Sequence, residues 1–296
     1  MADTAFHSAD RPKLGIWTKL AYAFGGVSYG VKGNGFTYFL MLCYAQAFGL
    51  PAEQVGLAML LAFMFDAFSD PLIGYLSDNT KGVLGRRHLY MYAAIIPVGI
   101  IYYMLWNPPA AVMEDGLFWY LLAMSIGMRV LITFYEVPCT AMNAELTTDY
   151  DERTSLLTLR AVVVYMGGVV MAATTLAFIL QPDATGSAFT DADGFGRYGL
   201  IAALVMMASM LVCSLGTHRF IPYLAKADAV PGSLGVMLRE IFQTLRSPSL
   251  AALFASQLAG YAAFGVAAAL AYYMQGYFWG FSGDQSSVIT VSILVS

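Results

Sequence analysis

Seven apolar stretches, each long enough to cross a bilayer, constrain this chain more than any other feature. A helix needs about 20 apolar residues to span the hydrocarbon core. Residues 18–48, 55–77, 88–107, 117–143, 155–181, 197–217 and 250–280 meet that length. An eighth stretch begins near Ser287 and reaches only to Ser296, too short to cross. Composition agrees: 59% of the 296 residues are hydrophobic, 11% are charged, and the mean hydropathy is +0.65. Soluble domains carry about 25% charged residues, so a water-soluble globular fold is excluded. Disorder needs low hydrophobicity and high net charge, the opposite of what is present. The net charge of −4 and a pI near 5.3 argue against nucleic acid as a partner. The fold class that follows is an all-α polytopic membrane protein.

Lys and Arg set the orientation. With loops assigned alternately, Arg11, Lys13, Lys19, Lys81, Arg86, Arg87, Arg153, Arg219, Lys226, Arg239 and Arg246 fall on one side, and Arg197 alone falls on the other. Lys32, Arg129 and Arg160 lie within spans. The positive-inside rule then predicts a cytoplasmic N-terminus and an external 182–196 loop. The first 16 residues are polar and lack a cleavage pattern, so no removable signal peptide is expected.

Residues 218–249 separate the sixth and seventh spans with a charged stretch. Within it Val236, Met237, Ile241, Phe242 and Leu245 recur at helical spacing beside Arg239, Glu240 and Arg246, which predicts an amphipathic helix on the cytoplasmic face. Six spans, a long cytoplasmic linker and further spans is the plan of a transporter built from two six-helix halves. The expected division is a six-helix half at 1–221, a linker at 222–248, and the first helices of a second half at 249–296. On that plan the chain is expected to be a truncated piece of a longer, monomeric protein.

Charged side chains at a bilayer centre cost about 2.5–3.5 kcal/mol each on insertion scales, so each needs a reason. Six lie in the spans: Lys32, Asp66, Asp70, Arg129, Glu136 and Arg160. Asp66 and Asp70 are four apart and share a helix face, with the Ser69 hydroxyl three residues from Asp66. Two adjacent carboxylates repel, which favours a shared proton or a bound cation. Arg129, Thr133 and Glu136 fall at i, i+4 and i+7 on span 4, with Pro138 just beyond. The competing structural readings are an internal salt bridge from Lys32 to an Asp of span 2, and Arg129 neutralising Glu136 within its own helix.

Other polar features have plainer readings. Cys43, Cys139 and Cys213 sit in apolar stretches and read as small buried thiols. His7, His88 and His218 lie outside those stretches or at their edges, so no metal or histidine-based catalytic centre is expected inside the membrane. Gly25, Gly26, Gly30, Gly33 and Gly35 on span 1 suit close helix packing. Tyr277 and Trp279 read as an interfacial belt, while Gln257 and Tyr261 lie deeper on span 7.

The run from Asp66 through Ser69, Asp70, Pro71, Gly74, Asp78, Lys81 and Gly85 to Arg86-Arg87 closely resembles the signature of the glycoside–pentoside–hexuronide:cation symporters. These are the melibiose-permease branch of the major facilitator superfamily, and the part from Gly74 to Arg87 resembles that superfamily's cytoplasmic loop motif. Asp149 through Arg160 and the Glu136-Val-Pro138 step resemble two further family motifs. The resemblance implies the major facilitator fold and a sodium or proton site formed by Asp66, Ser69, Asp70 and Thr133. It implies substrate contacts from Glu136 and Arg160, to which Lys32 and Arg129 are added as intramembrane charges. It also implies a cytoplasmic gate that includes Asp78, Lys81, Arg86, Arg87 and Arg153. Ser69 replaces the asparagine usual in melibiose permeases. Gly30 stands where they place a sugar-binding aspartate.

The expected activity is cation-coupled symport of a sugar or glycoside across the plasma membrane, without enzymatic chemistry, with Na+ or H+ as coupling ion and no cofactor. A lysolipid substrate, as in the family's animal branch, is the alternative. A membrane enzyme acting on lipid is a weaker one, because Glu145, Asp149, Asp151 and Glu152 at the interface have neither histidine nor metal-ligand spacing beside them.

Overall fold

A computed structural model describes residues 14–80, 82, 84–113, 115–180, 190–224, 247–281, 285–286 and 288–289. Lys81, the linker segment 225–246, and nearly all of the short eighth stretch lie outside the described residues.

The regular elements are helices throughout the described residues. α1 (Ile16–Phe24) and α2 (Gly26–Asn34) meet at Gly25 and run on through π-turns at Gly35–Phe39 and Cys43–Ala47, so the first apolar stretch is one segmented rod. Wider turns of this kind are short interruptions of α-helices and favour functional regions. Five longer helices follow: α3 (Ala52–Asn79), α4 (Gly85–Trp106), α5 (Leu117–Leu146), α6 (Tyr150–Thr174) and α7 (Ala192–Thr217). α8 (Pro248–Tyr273) is the last long helix of the described residues and passes into a π-turn at Met274–Phe278. Six helical stretches among the described residues are long and apolar enough to cross a membrane.

Helix starts follow local sequence. Asp149 caps α6 by accepting from the Glu152 amide at 2.7 Å, and Asp191 caps α7 by accepting from the Gly194 amide at 2.8 Å. Each satisfies an amide that the helix itself leaves open. Pro71, Pro97 and Pro138 lie inside α3, α4 and α5, as packed membrane helices permit.

α2 packs on α6, α1 and α2 also on α7, α7 on α4, α4 on α5, and α5 on α3. α5 and α6 touch only lightly along their backbones. The closest approach is α2 to α6: a Cβ added at Gly30 would lie 2.0 Å from the Val164 carbonyl oxygen, and one at Gly168 would lie 2.8 Å from the Gly30 carbonyl. Glycine is therefore required at 30 by backbone contact. An aspartate side chain has no room there.

The core is apolar and so is much of the outer surface. Tyr22, Tyr44, Tyr102, Trp106, Tyr135 and Tyr198 are fully buried, while Ile96, Ile100, Phe178, Leu204 and Leu215 face outward. An apolar outer surface of this extent matches a lipid solvent. α8 differs from the rest, since residues 251–267 are all exposed. Its contact with the bundle comes at the far end, where Tyr277 donates to Gln46 Oε1 at 2.7 Å.

Candidate functional site

Four helices carry the intramembrane charges toward one region: Lys32 on α2, Asp66 and Asp70 on α3, Arg129, Thr133 and Glu136 on α5, and Arg160 on α6. Their closest charged and hydroxyl partners lie on neighbouring helices. Arg129 Nη1 donates to Asp66 Oδ2 across the α3–α5 contact instead of pairing with Glu136 on its own helix. Its guanidinium also lies over the Phe63 ring at 3.5 Å and the Phe36 ring at 5.1 Å. Phe63 is three residues before Asp66, so one helix face supplies both the carboxylate and the aromatic shelf. Arg129 is thus held between the Asp66 carboxylate and the Phe63 and Phe36 rings. The spacing on α5 gave no means of choosing between a partner on the same helix and one on a neighbour.

Glu136 is paired instead with Arg160, whose Nη2 donates to Glu136 Oε1 at 2.7 Å. Arg160 Nη1 donates to Cys139 Sγ at 2.8 Å, and its guanidinium carbon stands 5.3 Å from the centroid of the Tyr22 ring. Cys139 follows Glu136 by three residues, so Arg160 grips two positions of one α5 face. Cys139 and Cys213 are free thiols with their sulfurs 3.7 Å apart. Both are buried thiols, as their apolar stretches imply, and the i, i+3 spacing of Glu136 and Cys139 is the sequence signal for the contact of Cys139 with Arg160.

Asp70 accepts from Thr133 Oγ1 at 2.9 Å and has no ion pair within 4.0 Å among the described residues. Asp66 Oδ1 and Ser69 Oγ are buried without hydrogen-bond partners among those residues, as is Glu136 Oε2. Two carboxylates and two hydroxyls supply hard oxygen ligands of the kind an alkali cation takes. Arg129 already occupies one oxygen of Asp66, which leaves its second oxygen and the Asp70–Thr133 pair. Lys32 does not bridge to α3. Its Nζ lies 4.5 Å from the centroid of the Tyr29 ring, one turn back on its own helix.

A second cluster forms where α3 leads into α4. Arg87 Nη1 meets Asp78 Oδ1 at 2.7 Å, and Arg86 meets the same oxygen at 3.9 Å. Glu145, near the end of α5, binds both arginines, at 2.6 Å to Arg86 and 3.0 Å to Arg87. Arg87 also donates to Ser77 Oγ at 3.1 Å. The structure therefore brings Asp78, Arg86 and Arg87 together, and adds Glu145, which the sequence had shown only as an interfacial acid. Arg153 stands apart from these acids and donates to the Ala144 and Thr147 carbonyls at the end of α5. Lys19 on α1 pairs with Glu152 on α6 at 2.7 Å.

Residues 21–296 match the MFS/sugar transport protein family. The chain is 30% identical over 213 residues to an uncharacterised symporter of Synechocystis, covering 70% of this chain and 38% of that protein. It is 28% identical over 159 residues to the sodium-dependent lysophosphatidylcholine symporter 1-A of Danio rerio, covering 53% and 29%. It is 25% identical over 193 residues to the isoprimeverose transporter of Lactiplantibacillus pentosus, covering 65% and 40%. The chain thus spans less than half the length of these relatives.

Proposed function

The chain belongs to the MFS/sugar transport protein family, and from that premise we propose that it forms part of a cation-coupled symporter of a sugar or glycoside. The observation that carries this reading is the meeting of three acids and three bases from four helices, with Asp66 Oδ1 and Glu136 Oε2 buried and unpartnered. Buried carboxylate oxygens are expensive to leave unbonded. A coupling cation at Asp66 and Asp70, with hydroxyls from Ser69 and Thr133, answers the first. Sugar hydroxyls donating to Glu136 answer the second, with Arg160 fixing that carboxylate.

The cation and the substrate communicate through α5, which carries Thr133 toward Asp70 and Glu136 toward Arg160. Cation binding draws α3 and α5 together and presents Glu136 in place, a coupling typically worth about 1–3 kcal/mol. The cluster of Asp78, Arg86, Arg87 and Glu145 ties α3, α4 and α5 at the cytoplasmic side and holds the carrier closed there. The proposal includes a monomer in the plasma membrane with its N-terminus inside, acting by transport and not by enzymatic chemistry. Labelling of Ala188→Cys from the cell exterior tests the orientation, and labelling only after permeabilisation reverses it.

A lysolipid substrate is the second reading, supported by the similarity to the Danio rerio lysophosphatidylcholine symporter. Uptake into proteoliposomes by the protein in its full natural length, with sugars and lysolipids offered with and without sodium or a proton gradient, tests both. Accumulation of a sugar that needs no ion gradient contradicts the symport reading.

A further inference from the structure

Two buried thiols remain that the proposed transport does not use. Cys139 on α5 and Cys213 on α7 face each other with sulfurs 3.7 Å apart, and both residues are fully buried. Arg160 Nη1 donates to Cys139 Sγ at 2.8 Å, while Nη2 of the same guanidinium holds Glu136 at 2.7 Å. Tyr22 donates to the Cys139 carbonyl at 3.3 Å and fixes the backbone behind that sulfur. Gly25, where α1 meets α2, closes the other side. A Cβ added there would lie 2.6 Å from Cys213 Cβ and 2.8 Å from its sulfur. Glycine at this joint therefore leaves Cys213 its place beside Cys139. Cys43 is equally buried, yet no second sulfur or guanidinium stands beside it among the described residues.

Two thiols in contact can close to a disulfide when an oxidant reaches one of them. Such a bond is about 2.05 Å long, so the sulfurs need approach by only about 1.7 Å. We propose that Cys139 and Cys213 are a reversible oxidation site for hydroperoxides, and that closing it loosens Arg160 and with it Glu136. Hydrogen peroxide is small and uncharged, and it enters beside Glu136, whose side chain is 21% exposed. With Arg160 opposite the developing thiolate, Cys139 Sγ attacks one peroxide oxygen and the O–O bond breaks. The departing hydroxide takes the Cys139 proton and leaves as water, and Cys139 becomes a sulfenic acid. Cys213 Sγ then attacks that sulfur. The S–S bond forms, the S–O bond breaks, and the hydroxyl leaves as a second water with the Cys213 proton. Two thiols have lost two electrons in all, and one peroxide has been reduced to two waters. In the product Cys139 Sγ is drawn toward Cys213 and is a weaker acceptor for Arg160 than a thiolate is. The oxidation itself does not depend on the symporter reading. Its consequence for transport rests on that reading, through Glu136.

The test treats the full-length protein in proteoliposomes with hydrogen peroxide and maps its peptides without reduction. A linked Cys139–Cys213 peptide that dithiothreitol separates is expected, with Cys43 still a free thiol. In Cys213→Ala the sequence halts at the first step, so dimedone is expected to label Cys139. Uptake is followed with isoprimeverose and with lysophosphatidylcholine under a sodium or proton gradient. Whichever the reduced protein accumulates is expected to enter about three- to tenfold more slowly after peroxide, the scale of one lost hydrogen bond. Dithiothreitol is expected to restore the rate, and Cys43→Ala to show the same loss and recovery. Absence of the linked peptide, or dimedone on Cys43 in preference to Cys139, overturns the oxidation site. Complete linkage with uptake unchanged overturns the connection to Arg160 and Glu136. Accumulation of neither probe by the reduced protein overturns the symporter reading, while the linked peptide still decides the oxidation site.

Discussion

Midway along the helices, Arg129 and Arg160 hold one carboxylate each, whereas at the α3–α4 turn Arg86 and Arg87 share two, Asp78 and Glu145. In the first arrangement each arginine has one carboxylate partner in a low-dielectric setting, so removing that partner strands a buried ion. In the second, any one acid can be lost and both arginines remain paired with the other, nearer to water. One-to-one pairs suit a site whose geometry must persist. A shared cluster suits a contact that has to open and close in each transport cycle.

The sharpest attempt to break this contrast is Glu136→Gln. It leaves Arg160, whose side chain is 7% exposed, without a carboxylate, and a loss on the order of 3–5 kcal/mol is expected. Thermal unfolding in detergent reads it, and a shift no larger than that of a surface substitution dissolves the distinction between the two clusters.

The two aspartates of α3 sharpen it next. Asp66→Asn strands Arg129 and is expected to cost about 3 kcal/mol, part of which Arg129→Met in the same chain restores. Asp70→Asn keeps a hydrogen-bond acceptor for Thr133 and strands no base, so stability is expected to hold while sodium stimulation of substrate binding disappears. Equal destabilisation by the two substitutions, measured side by side, contradicts an ion-pair role for Asp66 that Asp70 lacks.

A smaller effect separates the acids of the shared cluster. Glu145, with its side chain 11% exposed, touches both arginines, so Glu145→Gln is expected to cost about 1–3 kcal/mol. Asp78 is 41% exposed, and Asp78→Ala is expected to cost at most about 1 kcal/mol. Both are expected to reduce transport while substrate binding survives. Binding lost in step with transport gives Asp78 a local folding role and removes the gate. Least of all, Glu152→Gln at the Lys19 contact is expected to move stability by about 0.2–1 kcal/mol, and a larger shift in the unfolding midpoint places that pair with the buried ones.

The first apolar stretch and the helices from Ala52 to Thr217 were legible in the sequence because the bilayer imposes length and apolarity on each span separately, whereas the break of the first stretch at Gly25 and its π-turns was not. Capping by Asp149 and Asp191 was equally local. The charges destined to meet were visible too, since an ion inside an apolar stretch stands out against its neighbours and must be paired or used. Their partners were not. Arg129 lies seven residues before Glu136 on one helix and sixty-three after Asp66 in the chain, and helical spacing recognises only the first relation. Whether it pairs along its own helix or across to α3 depends on how close α3 and α5 pack. The same holds for Glu145, whose value comes from α4 bringing Arg86 and Arg87 to the end of α5, and for Gly30, whose role is set by the α6 backbone pressed against it. Sequence alone determined the helices and the charges they carry, because burial in lipid acts on each residue where it stands. The pairing of those charges was decided by tertiary structure, because an ion pair depends on a distance between helices that no single helix contains.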